Sequence, residues 1–131
     1  MISSGGRILF LKAKSRLSPN ELFGIDALVR AGCTVVVRKE NPLAPANIDL
    51  LVDGDLCELK NITNANSLIS NQIKRARIKW LKLGLEEPVR IAFTMNDSIN
   101  TLEEMIDGLR KRKRPNESIV LVSPDGGIVE I

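Results

Sequence analysis

At 131 residues, with 44% apolar and 27% charged side chains, the chain is sized for one domain around one hydrophobic core. Its formal charge is +3 and it holds no histidine, which excludes Ser-His-Asp and Cys-His catalysis, histidine-based RNA cleavage and every histidine metal motif. Two cysteines without a CxxC pair exclude a structural zinc site; no tyrosine, one tryptophan and three phenylalanines leave no aromatic platform for stacking single-stranded bases.

In chain order, residues 1–6 read as a flexible Ser/Gly-rich end and Arg7–Lys12 as a short strand. A first helix is expected over Pro19–Ala31. Ser18 suits its N-cap, Pro19 its first position, and Glu21 completes an S-x-x-E capping box. Thr34–Arg38 is β-branched and reads as a strand. Asn47–Val52 and Asp55–Ile62 read as two strands joined by Asp53-Gly54, the residue pair a two-residue type I′ turn prefers. A second helix is expected over Ser67–Leu83, with Leu68, Ile69, Ile73, Ala76, Trp80 and Leu83 inward, followed by a strand at Val89–Thr94. A third helix over Ile99–Lys113 and strands at Ser118–Val122 and Ile128–Ile131 complete the chain. The order from the first helix, αβββαβαββ, predicts an α/β domain in which helices flank a mixed sheet. No apolar run approaches the roughly 18 residues of a membrane span, and no secretory signal is present; any delivery to another compartment is expected to depend on something else. Cys33 and Cys57 read as small buried hydrophobes.

The hairpin carries the chemistry. A two-residue Asp53-Gly54 loop makes Leu50 oppose Cys57 and Asp49 oppose Glu58. Alternation then gives one core face of Ile48, Leu50, Val52, Cys57 and Leu59, and places Asp49, Glu58 and Lys60 together on the other. Opposed carboxylates about 4.5–5.5 Å apart at Cβ repel each other. A divalent cation would compensate them and still keep positions for water and phosphate. Lys60 is placed to help activate that water and offset phosphate charge. A polar solvent face is the plain structural alternative.

An Asp followed nine residues later by Glu-x-Lys, on a hairpin preceded by helix and strand and followed by helix and strand, resembles the PD-(D/E)xK nuclease superfamily, of restriction-endonuclease-like fold. The resemblance spans about residues 18–94, but its specific motif is only Asp49 and Glu58-Leu59-Lys60. The family's Pro-Asp is here Ile48-Asp49. The resemblance implies an αβββαβ core, Asp49 and Glu58 as ligands of Mg²⁺ or another divalent metal, and Lys60 as the catalytic lysine. The run IDLLVDGDLCELKNITNANSLISNQIKRARIK is also similar, by pattern, to the C-terminal toxin domains of contact-dependent growth inhibition (CdiA-type) proteins, several of which cut tRNA. That similarity implies a cognate immunity protein, action in a target cytoplasm and delivery as the end of a secreted bacterial protein.

Around this core several residues carry two readings. Glu21 is a third catalytic carboxylate or only a helix cap. Gln72 lies over the site or is merely exposed. Arg75, Lys79 and Lys82, flanked by Lys74 and Arg77, form a phosphate-binding stripe or a solvated face. Asn61, Thr63 and Asn64 orient substrate or cap the second helix. Residues 70–114 hold eleven Lys or Arg against six Asp or Glu, and the Arg110–Arg114 run exceeds what a helix dipole needs; it suits contact with RNA or with an acidic inhibitor. The expectation is a metal-dependent RNA nuclease, tRNA being favoured. Its rivals are a DNA endonuclease of restriction or junction-resolving type and a non-catalytic nucleic-acid- or protein-binding module.

Overall fold

A computed structural model describes residues 6–62, 67–95 and 100–131. Seven strands form one mixed sheet in sequence order: β1 (Ile8–Phe10), β2 (Val35–Val37), β3 (Leu50–Val52), β4 (Asp55–Asn61), β5 (Arg90–Thr94), β6 (Ser118–Val122) and β7 (Ile128–Glu130). β1 runs parallel to β2, β3 is antiparallel to both β2 and β4, β4–β6 are parallel, and β7 turns back on β6. Parallel neighbours need crossover connections, and helices supply them: α1 (Pro19–Arg30) after β1, α2 (Ser67–Lys82) between β4 and β5, and α3 (Leu102–Arg112) between β5 and β6.

Alternation divides the core in two. On one face Ile25 and Leu28 of α1 pack on Val35, Val37, Leu50, Cys57, Leu59 and Ala92. On the other, Ile69, Ile73 and Ala76 of α2 and Met105 and Leu109 of α3 pack on Ile62, Ile91, Phe93, Ile119 and Leu121. Three layers follow, helix–sheet–helix, and the element order matches the sequence expectation. At Gly24 a Cβ would come within 2.9 Å of Leu59 and 2.8 Å of Thr94, so the glycine lets α1 sit directly on β4 and β5. That contact brings the first turn of α1 to the hairpin.

The capping box at Ser18 and Glu21 is present in full. The third helix starts at Leu102, later than expected, because Thr101 and Glu104 form a second capping box; the T-x-x-E pattern that specifies it was readable in the sequence. The expectations for Ile99, Thr63, Asn64, the side chain of Leu68 and the first five residues lie outside the described residues. Among the described residues no helix is long and apolar enough to cross a membrane.

Candidate active site

The site begins at the turn. Asp53 (φ 50°) and Gly54 (φ 88°) both adopt the left-handed backbone of a type I′ turn, and the register is the one that turn dictates: Val52 opposite Asp55, Leu50 opposite Cys57. The Thr34 N–H donates to an Asp53 carboxylate oxygen at 2.7 Å, and Asp53 N–H donates back to Thr34 O at 2.8 Å. The hairpin is therefore fixed against β2 as well.

The ladder stops at Leu50, one residue short of Asp49, where side chains replace it. Asp49 Oδ2 accepts the Leu59 N–H at 2.9 Å, and Asp49 N–H donates to Glu58 Oε1 at 3.2 Å. β3 is thus shorter than the Asn47–Val52 expected, because an aspartate carboxylate takes the bond a strand carbonyl would have made. The two acids are neighbours across the hairpin, and Cys57 lies on the α1 face of the core.

Glu58 does not face solvent. It sits beneath α2 with no exposed surface, where its Oε2 meets two ammonium groups, Lys79 Nζ at 2.7 Å and Lys60 Nζ at 3.4 Å. A buried carboxylate needs such partners. Lys60 is on the Glu58 face, as alternation requires. Lys79, read from the sequence as part of an outward stripe, is the nearer of the two. Asp49 is less well compensated. Burial and the neighbouring Glu58 push its carboxyl from 3.8 up to about 7, against the opposing pull of the Leu59 N–H and Lys79. Near neutrality Asp49 is therefore partly protonated, first because burial disfavours its charged form and second because Glu58 is beside it.

A cleft of about 260 Å³ opens beside Asp49 and Lys60 of this cluster, lined also by Ser18, Asn20, Glu21, Leu59, Asn61 and Thr94. Glu21 makes its capping bonds, Ser18 N–H to Oε1 at 2.9 Å and Glu21 N–H to Ser18 Oγ at 3.1 Å, and from that cap also walls the cleft. Thr94 donates from Oγ1 to Asn61 Oδ1 at 2.8 Å. Sequence reasoning passed over Thr94; the parallel register that sets Asn61 beside Thr94 is a tertiary fact.

The nucleic-acid candidates on α2 separate. Lys74 and Arg75 are exposed, and Gln72 is half-buried two turns before Lys79. Arg77 is occupied: Nε and Nη2 hold Glu117 at 2.6 and 2.7 Å, and Nη2 also donates to Arg112 O at 2.9 Å. At the end of α3, Arg112 is tied to Ser70 Oγ at 2.7 Å and Gly108 O at 2.8 Å, while Arg110, Lys111 and Arg114 are exposed. Lys82 is exposed at the far end of α2.

The donor set fits a hard divalent cation. Asp49 and Glu58 offer carboxylate oxygens side by side, with two ammonium groups already at Glu58 Oε2. Among the described residues no group of three or more His, Cys, Asp or Glu is gathered to hold a metal. A cation here would accordingly rest on two carboxylates and retain much of its water, the habit of Mg²⁺.

No protein-family model and no curated protein matches the chain. Among solved structures, a chain of the CdiA-CT/CdiI toxin and immunity complex from Burkholderia pseudomallei is similar, with a TM-score of 0.60 at 16% sequence identity, over 93% of this chain and 97% of that one. At that identity the likeness is one of fold: this chain shares, over nearly its whole length, an architecture found in a toxin–immunity complex.

Proposed function

We propose that the chain is a divalent-metal-dependent nuclease of the PD-(D/E)xK type that hydrolyses phosphodiesters of RNA, tRNA being the favoured substrate, and that it acts as the toxin of a toxin–immunity pair. One observation carries the catalytic part: two adjacent carboxylates, Asp49 and Glu58, with the Lys60 ammonium at 3.4 Å from the second, and Asp49 and Lys60 lining an open polar cleft. The fold likeness to a chain of the Burkholderia complex supports the toxin part, and of the two roles in such a complex this acid–lysine cluster favours the toxin. The resemblance of the hairpin and the following helix to CdiA-type toxin domains supports tRNA.

In this reading Asp49 and Glu58 hold the cation, which supplies Lewis acidity and a bound water of lowered pKa. Asp49 must be deprotonated to hold a cation, so raising the pH favours occupancy. Lys60, tethered to Glu58 on one side and lining the cleft on the other, orients the attacking water and offsets charge on the phosphate. Asn61, held by Thr94, presents an amide to the substrate. The exposed Lys74 and Arg75 of α2, with Arg110 and Arg114 at the end of α3, bind the phosphate backbone. The same basic surface suits an acidic immunity protein. Delivery as the end of a longer secreted protein and action in the cytoplasm of a target cell complete the proposal.

The test is incubation of the purified chain with total RNA and with plasmid DNA, each with Mg²⁺ and with EDTA. RNA cleavage that EDTA abolishes is expected, with tRNA consumed first. Cleavage of plasmid alone would turn the proposal to a DNA endonuclease. No metal-dependent cleavage of either would end the enzyme reading.

A further inference from the structure

The number of lysines at Glu58 exceeds what one buried carboxylate needs. Lys60 and Lys79 both point at its Oε2, at 3.4 and 2.7 Å, and Asp49 lies beside it, bonded through its own N–H to Oε1. With both acids ionised the cluster is two carboxylates against two ammonium groups, the same positive charge that one divalent cation would bring. The two lysines are not equivalent. Lys60 is set by strand alternation two residues from Glu58, on a segment paired with β5. Lys79 reaches in from another element, and its side chain, 27% exposed against 24% for Lys60, is no more buried. Its helix face carries Gln72 and Arg75, seven and four residues earlier. A long flexible stem anchored on a helix can swing out without disturbing the core.

Resting on the metal-dependent reading above, we propose that Lys79 is an exchangeable counterion: it neutralises Glu58 while the acid pair holds no metal, and a divalent cation displaces it. Glu58 Oε2 already meets two ammonium groups, and a divalent cation added beside them brings a repulsion that departure of the nearer ammonium relieves. Cation binding and the Lys79–Glu58 bond therefore compete, and the ammonium released joins the α2 face offered to substrate phosphates. Apparent metal affinity is weakened by this competition, and the acid pair avoids an uncompensated buried charge when no metal is bound.

The experiment is calorimetric titration of the full chain with Mn²⁺ and Mg²⁺, comparing wild type with Lys79→Met, Lys79→Gln and Asp49→Asn. Both lysine variants are expected to bind Mn²⁺ at least about tenfold more tightly than wild type, and Asp49→Asn to abolish the binding in each background. Asp49-dependent binding of equal or lower affinity in the lysine variants would overturn the counterion role and leave the metal site standing. Metal binding absent from wild type, or indifferent to Asp49→Asn, would remove both. Should the variants unfold, wild-type protein decides alone through the NMR signals of its lysine ammonium groups. Loss of the protected Lys79 signal on saturation with Mg²⁺ supports exchange, and a signal that stays protected refutes it.

Discussion

Helix α2 holds two buried carboxylates from residues two positions apart, and the two pairs have opposite characters. Arg77 grips Glu117 through two guanidinium nitrogens at 2.6 and 2.7 Å, and the Arg114 N–H adds a third bond at 2.8 Å. One acid meets one base in fork geometry, and the oxygens of the acid are used up. Lys79 meets Glu58 as a point charge at 2.7 Å, in company with a second lysine and a second acid, and the second acid carries a carboxyl pushed up to about 7. The first pair is balanced and joins α2 to the loop before β6. The second belongs to a four-group cluster of two acids and two lysines, of which Asp49 and Lys60 line a cleft. Charge and burial are alike in the two pairs; the company of a second acid and a second lysine distinguishes the one at Glu58.

Changes on the two sides should fail in different ways. Asp49→Ala should lower metal-dependent cleavage by about three orders of magnitude or more, as loss of a metal ligand does, while the thermal transition stays within a few degrees of wild type. A variant that unfolds instead would make Asp49 as structural as Glu117. Arg77→Ala should show the reverse. Removing one partner of a buried pair costs about 3–5 kcal/mol, read as a fall in the urea midpoint, and the folded fraction should keep its cleavage rate. Lost activity in fully folded Arg77→Ala would carry that pair into the site.

The third contrast is with pH. The Asp49 carboxyl is raised from 3.8 to about 7, so between those values the native state holds a proton that the unfolded chain releases. The stabilisation this gives is complete below about pH 4 and is lost as pH rises through 7, on the order of 2–4 kcal/mol in all. Urea midpoints measured with EDTA from pH 5 to 8.5 should fall, and Asp49→Asn should flatten that component. An equal slope in the variant would place the titration elsewhere. The smallest effect belongs to the exposed cations. Lys74→Gln with Arg75→Gln should leave stability within about 0.5 kcal/mol and reduce the slope of log affinity for RNA against log salt by about one to two. An unchanged slope would return that helix face to plain solvation.

Much of this was legible in the residues themselves. Asp53-Gly54 specifies its turn, the turn specifies the register, and the register brings Asp49 to Glu58 and sends Cys57 to the opposite face. Ser18 and Glu21 announce the start of α1 in the same local way. What escaped depends on long-range packing. The burial of Glu58 requires knowing that α2 lies over β4, and the inward reach of Lys79 requires the same. Periodicity put Arg77 and Lys79 on the outer part of α2 because both flank its apolar stripe; partners 40 and 21 residues away draw them in. β3 is shortened at Asp49 for a reason no propensity contains, a side chain standing in for a strand carbonyl. Thr94 becomes a neighbour of Asn61 only once β4 and β5 pair in parallel.

The most direct test of the central claim is Lys60→Ala, since Lys60 touches Glu58 at the longer distance and Lys79 remains to keep that acid paired. Its cleavage of RNA in Mg²⁺ should be measured beside wild type at matched folded fraction, checked by thermal melting of the same samples. Cleavage should vanish while the melting transition is retained. Full activity in folded Lys60→Ala would contradict the assignment of this hairpin as an active site.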